Sequence, residues 1–151
     1  MTLLDLITTI EAVAARQPAI RTIVRQDATR LNTLPDADYG VFSWVNEGGE
    51  LSQIGSLAEH TFVLFYIDRL TPDKRNLEAV QSTGVSVIAN IVNALLAEGV
   101  FVAGSSRAYT VTPFAHRFAD ECAGVYARIT FEVEDECVCA EDFQNKQVTI
   151  Y

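Results

Sequence analysis

Apolar residues recur at three- and four-residue steps over the first sixteen positions, at Leu3, Leu4, Ile7, Ile10, Val13 and Ala14. Asp5, Thr9, Glu11 and Arg16 fall between them. That period predicts an amphipathic helix over 1–16, capped by Thr2 and ended before Pro18. From Ala19 to Asp38 the pattern breaks: Ile20, Ile23 and Val24 are interrupted by Arg21, Arg25 and Arg30, and a loop is expected around Pro35. This stretch reads as extended chain with at most one short helical turn. Tyr39 to Asn46 is rich in aromatic and β-branched residues and reads as a strand. Glu47-Gly48-Gly49-Glu50 is expected to turn the chain, because glycine tolerates positive φ. Leu51 to Glu59 is expected to be an irregular return or a loop. His60 to Arg69 is apolar on both faces, the pattern of a central strand covered on two sides.

Thr71-Pro72-Asp73 offers a capping hydroxyl, a first-turn proline and an acid, which predicts that a long helix starts there. Its apolar stripe is Leu77, Val80, Val87, Ile88, Ile91, Val92, Leu95 and Leu96, and Gly99 ends it. Gly84, in mid-helix, is expected to mark close packing against a neighbour rather than a hinge. One or two short strands are expected between Val100 and Pro113, broken at Gly104-Ser105-Ser106. Cys122 to Glu134 alternates with period two: Val125, Ala127, Ile129, Phe131 and Val133 face one way, Tyr126, Arg128, Thr130, Glu132 and Glu134 the other. Residues 135–151 form a polar tail until Val148-Thr149-Ile150-Tyr151, which has the composition of an edge strand. The expected fold is α+β: one domain over 1–151, with a single antiparallel sheet and the long and N-terminal helices packed on one side.

The chain has 151 residues, of which 49% are hydrophobic and 21% charged, within the range of a soluble globular domain. At that length roughly 70% of the unfolded surface can be buried. Eleven Lys and Arg against twenty Asp and Glu leave a net charge of −9. That balance argues against gripping nucleic acid, which needs a basic patch to displace counterions, and against docking on an anionic membrane. No uninterrupted apolar run reaches the length of a membrane span, and the first residues lack a basic signal-peptide start. Three cysteines make no disulfide framework, which points to folding in a reducing cytoplasm.

The candidate chemistry is sparse. No Gly-x-Ser-x-Gly elbow or phosphate-cradling glycine loop is present, and the two histidines, His60 and His116, are expected at a strand start and in a polar connection. Cys122, Cys137, Cys139 and His116 would make four ligands, the number a structural zinc takes, but Cys-x-Cys is not the usual knuckle spacing and buried free thiols are the plainer reading. Arg69 or Arg117 is expected to pair with Asp120. Glu132, Glu134 and Glu136 share one strand face as an acidic stripe. Its plain meaning is solubility, and its functional meaning would be a surface that repels polyanions.

The run Thr112-Pro113-Phe114-Ala115-His116-Arg117-Phe118-Ala119-Asp120-Glu121-Cys122-Ala123-Gly124-Val125 resembles a signature of small virion proteins of tailed bacteriophages, of the kind found in phages of Bacteroidetes-type hosts and crAss-like phages. There a Thr-Pro-Phe-x-x-Arg-Phe-x-Asp-x-x-Ala-Gly run enters the final strand. The signature positions here are Thr112, Pro113, Phe114, Arg117, Phe118, Asp120, Ala123 and Gly124. Phe62 to Arg69 and the following helix, with its acid near Glu78, are similar as well, and the likeness in element order spans roughly residues 3 to 140. The order of a helix, a hairpin, a long helix and a final antiparallel pair also resembles tail-terminator and tail-completion proteins.

The resemblance implies a structural protein of the neck or tail. It would be a homo-oligomeric ring, a hexamer in the tail-terminator manner, that ends the tail tube or joins it to the head. Its partners would be adjacent tail-tube, neck or portal-side proteins, with DNA passing through rather than gripped. It would be assembled in the host cytoplasm and reside in the virion. No catalytic residue, cofactor or metal is implied. Loops such as 46–55 and 103–109 would contact neighbouring subunits or rings, and the acidic stripe would suit a lumen wall. The alternatives are a cytosolic α+β adaptor or small-ligand binding module, and, third, a metalloprotein organised by its cysteines.

Overall fold

Helix α1, Leu3–Ala15, starts where the sequence places its cap. The Thr2 hydroxyl accepts the Asp5 N–H at 3.1 Å while the Asp5 carboxylate accepts the Thr2 N–H at 2.7 Å, a reciprocal capping box. Those hydrogen bonds hold the Asp5 carboxyl below its ordinary range. The buried stripe is Leu6, Ile10, Val13 and Ala14. Leu3 and Leu4 were expected on it, yet Leu4 is 71% exposed, because Leu6 and Ile10, one turn apart, set the direction of the seam. The computed structural model describes residues 1–33, 38–52, 56–117, 121–134 and 149.

Strand β1, Thr22–Arg25, and a 3₁₀ turn over Ala28–Thr33 occupy the stretch of weak pattern. β1 lies parallel to β2, Val41–Leu51, with Thr22 opposite Val41 and Arg25 opposite Trp44. The sheet is therefore mixed, a correction to the all-antiparallel expectation. The connection from Gln26 to Gly40 is long enough to carry the chain back to the same end, as a parallel pair requires. β2 then pairs antiparallel with β3, Leu57–Arg69.

The expected turn at Glu47-Gly48-Gly49-Glu50 is not there. The strand runs through it with a bulge: Asn46 opposes Phe62, Gly48 opposes Thr61, and Glu47 is the extra residue. Gly48 takes φ +108° and donates its N–H to Asn46 Oδ1 at 2.9 Å. Positive φ at one glycine serves a bulge as readily as a turn, and the hairpin closes further on, where Ser52 N–H meets the Leu57 carbonyl at 3.2 Å.

Helix α2, Leu77–Ala97, begins five residues later than the expected start, with Asn76 rather than Thr71 at the cap. Thr71-Pro72-Asp73-Lys74 instead forms a turn, with Lys74 N–H on the Thr71 carbonyl at 2.8 Å and Lys74 at φ +58°. Proline's fixed φ suits the second position of a turn as well as the first of a helix. Asn76 takes the cap position, and its side chain holds the turn: Oδ1 accepts Thr71 N–H and Nδ2 donates to the Arg69 carbonyl. Gly99, at φ +84°, ends the helix as expected, with its N–H on Leu96 and that of Val100 on Leu95. By length and mean hydropathy of 1.4, α2 meets the criterion for a membrane span, although no uninterrupted apolar run of that length occurs in it. Its seam of Val80, Val87, Ile88, Ile91, Val92 and Leu95 is instead buried.

The remaining strands are β4, Phe101–Val102, β5, Val111–Arg117, and β6, Cys122–Glu134. The order is β1-β2-β3-β6, with β4 and β5 lying end to end along the outer side of β6. The core cluster joins α1 and α2 to one sheet face, through Phe42, Trp44, Phe62, Leu64, Tyr66, Ala127, Ile129 and Phe131. Among the described residues, the opposite face carries a small cluster of Val24, Ala28, Val41, Ile67, Phe114 and Cys122 at one end. Along the rest of β2, β3 and β6 that face has no helix over it among the described residues.

Candidate interaction face

Strand register sorts the open face into rows. Ser43, Phe65 and Tyr126 stand opposite one another; next come Val45, Val63 and Arg128, then Gly48, Thr61 and Thr130, then Glu50, Glu59 and Glu132. Glu134 follows opposite Leu57. The face is thus polarised along the strands, from aromatic and cationic to acidic.

At the first end, Val63, Phe65, Tyr126, Arg117, Arg128 and Glu47 line a groove of about 310 Å³. Phe65 and Tyr126 stack obliquely, ring centres 5.8 Å apart. Arg128 makes a two-pronged pair with Glu47, Nε to Oε2 at 2.8 Å and Nη2 to Oε1 at 2.9 Å, which holds the guanidinium more firmly protonated. Arg117 lies over the Phe114 ring at 5.7 Å. Apolar floor and guanidinium rim can receive a flat or aliphatic group bearing a negative charge. Towards the acidic end, Thr61 and Thr130 share a hydroxyl hydrogen bond of 2.8 Å, and beyond it Glu50, Glu59 and Glu132 stand side by side. Like charges directly opposite one another disfavour the sheet, so this row has an electrostatic cost.

Of the signature residues, Thr112, Pro113 and Phe114 lie on β5 with Arg117 at its end, and Ala123 and Gly124 open β6. Phe114 is buried in the small cluster, and its carbonyl accepts Gln81 Nε2 of α2 at 3.1 Å. Gly124 meets the β3 backbone so closely that a Cβ there would collide with the Tyr66 carbonyl oxygen. Phe118 and Asp120 lie outside the described residues, and so does the expected pairing of Asp120. Arg69 rests over the Tyr39 ring at 4.8 Å.

Glu132 and Glu134 share the open face as their alternation requires; Glu136, Cys137 and Cys139 lie outside the described residues. Cys122 is buried with Val24, Val41 and Ile67, whereas His116 is exposed on a bulge of β5, and no three metal-ligating side chains converge among the described residues. His60 sits on the helix side of β3, opposite Phe131, at the far end of β6 from His116. The Ser43 hydroxyl is tied to the Val24 carbonyl at 2.7 Å.

Sequence reasoning missed Glu47, Glu50 and Glu59. Carrying the period-two pattern of Phe65 and Val63 back past His60 would have found Glu59. No local signal connects Glu47 to Arg128. The chain matches no known protein-family model and no curated protein sequence.

Proposed function

We propose that this protein is a structural subunit of the neck or tail of a tailed-phage virion, closing into a homo-oligomeric ring that ends the tail tube or joins it to the head. The observation that carries the reading is the run Thr112 to Val125, which resembles the virion-protein signature. The element order supports it, with a helix, a hairpin, a long helix and a final antiparallel pair. In this reading the acidic half of the open face, Glu50, Glu59, Glu132 and Glu134, turns to the DNA path. A negative wall lets a polyanion slide without sticking. Contacts between subunits are heterologous and closed, as a ring requires. Native mass spectrometry and negative-stain microscopy of the purified protein test it: a closed ring, sixfold by the tail-terminator analogy, is expected. A strict monomer, alone and beside tail-tube and portal-side proteins, would sink it.

The groove at Phe65 and Tyr126 favours a second reading, a non-catalytic module that binds a small anionic ligand. A thermal-shift screen of aromatic carboxylates separates the two, since only this reading expects a stabilising hit that Arg117→Ala abolishes.

A further inference from the structure

Among the described residues, the edge of β2 runs past its only outer neighbour. β1 pairs with Val41 through Trp44, whereas β2 continues to Leu51. Two hydrogen bonds orient the peptide groups in between. The Trp44 carbonyl accepts Gln26 N–H at 2.8 Å, so Trp44 directs its backbone away from β3; Ser52 N–H bonds the Leu57 carbonyl, so Ser52 directs its own toward it. Alternation, shifted once by the bulge at Glu47, then sends the N–H and C=O groups of Asn46, Gly49 and Leu51 outward. No described strand lies on that side, and residues 47–51 are exposed.

An exposed edge of this kind is a template for another strand. Neither Lys nor Pro guards it, and Gly48 and Gly49 raise no side chain over it. Charge selects the occupant. Glu47 is engaged by Arg128, while Glu50 stands at the head of the row that continues through Glu59 and Glu132. A strand laid beside β2 places alternate side chains next to Glu50, where a cation is attracted and a carboxylate repelled. A second copy of the same edge, paired antiparallel with Gly49 opposite Leu51, would set Glu50 against Glu50, which disfavours that self-pairing.

We propose that the free edge of β2, Asn46 to Leu51, accepts an extended segment of a partner protein as an added strand, and that this segment carries Lys or Arg at alternate positions. Main-chain hydrogen bonds supply affinity and the acidic row supplies selectivity. The inference goes beyond the ring reading and holds equally for a monomer.

The test uses the full chain and three blocked nonapeptides: one alternating Lys and Val, its Glu and Val counterpart, and the Lys peptide N-methylated at alternate amides. Binding is followed by fluorescence anisotropy and by amide hydrogen exchange. The Lys peptide is expected to bind and to slow exchange at Asn46, Gly49 and Leu51. The other two should bind at least about tenfold more weakly, a difference of about 1.4 kcal/mol. Glu50→Lys, at an exposed position, should reverse the preference between the two charge patterns. Equal binding of the N-methylated peptide, an unchanged preference in Glu50→Lys, or no binding of the Lys peptide would each overturn the proposal.

Discussion

Gly84 of α2 lies so close to Val125 of β6 that a Cβ at Gly84 would stand 2.8 Å from Val125 Cγ2 and 3.0 Å from Tyr66 Cδ1. The missing side chain lets the helix settle onto the sheet, and Val125 is a stiff β-branched residue that cannot swing away. Alanine at this position gains about 1 kcal/mol of helix propensity, while overpacking costs roughly 1–3 kcal/mol. Gly84→Ala should therefore destabilise by about 1 kcal/mol in urea unfolding. In Val125→Ala, the same substitution should turn neutral or stabilising, a coupling that a double-mutant cycle measures.

Gly124 makes a harder contact. A Cβ there collides with the Tyr66 carbonyl, which is backbone in the central strand and cannot yield without breaking the β3–β6 register. Gly124→Ala should cost more than about 4 kcal/mol, the range reserved for core disruption. The check is the soluble fraction on expression and the unfolding midpoint; a variant within 1 kcal/mol of the parent, by the same scale, contradicts the packing described here.

Tyr66 titrates far above its ordinary value, pushed up to about 12 by burial and then by the Asp68 carboxylate, which accepts its hydroxyl at 3.4 Å. The folded state thus holds this proton more tightly than the unfolded chain does. The resulting stability is fully present below pH 10 and is lost as pH rises towards 12. Urea midpoints measured between those pH values should fall, and Tyr66→Phe should flatten that slope. An identical slope in the variant would remove Tyr66 as its source.

The row of Glu50, Glu59 and Glu132 sets three carboxylates across adjacent strands. Replacing the middle one, Glu59→Gln, should raise stability at low salt by about 0.5 kcal/mol. The gain should shrink in 1 M NaCl, where charges are screened within about 3 Å. Thermal unfolding at both salt concentrations reads the difference.

The lumen reading has its own test. Lys at Glu132, Glu134 and Glu136 changes the net charge from −9 to −3, since each substitution adds two charges. The circular dichroism spectrum and assembly should be unchanged, while DNA should be retained in a low-salt mobility assay and particles should lose infectivity. Normal infectivity with normally assembled particles would rule out a lumen position for this face.

Much of the fold was legible because its signals are local. The bounds of β6, Cys122 to Glu134, and the split of its faces follow from an uninterrupted period-two pattern, which needs no partner to be read. The Thr2 cap, the Gly99 stop and the packing role of Gly84 were legible for the same reason, since each is a short-range steric or hydrogen-bonding preference. The candidate face was legible only in part. Glu132 and Glu134 came from alternation, but Glu50, Glu59 and Glu47 join them through strand register.

The sequence by itself determined which residues seek burial, where β6 and α1 begin and end, and the sign of the surface charge. Only the tertiary structure decided between compatible local outcomes. A positive-φ glycine fits both a turn and a bulge, and pairing of Asn46 with Phe62 and Gly48 with Thr61 made it a bulge. A Thr-Pro-Asp run fits both a helix start and a turn, and the hold of Asn76 on Arg69 and Thr71 made it a turn. Arg128 and Glu47, 81 positions apart, meet because β3 brings their strands to either side of itself. Local preference fixes what a segment can do; which neighbour it meets is a long-range choice made by the packed sheet.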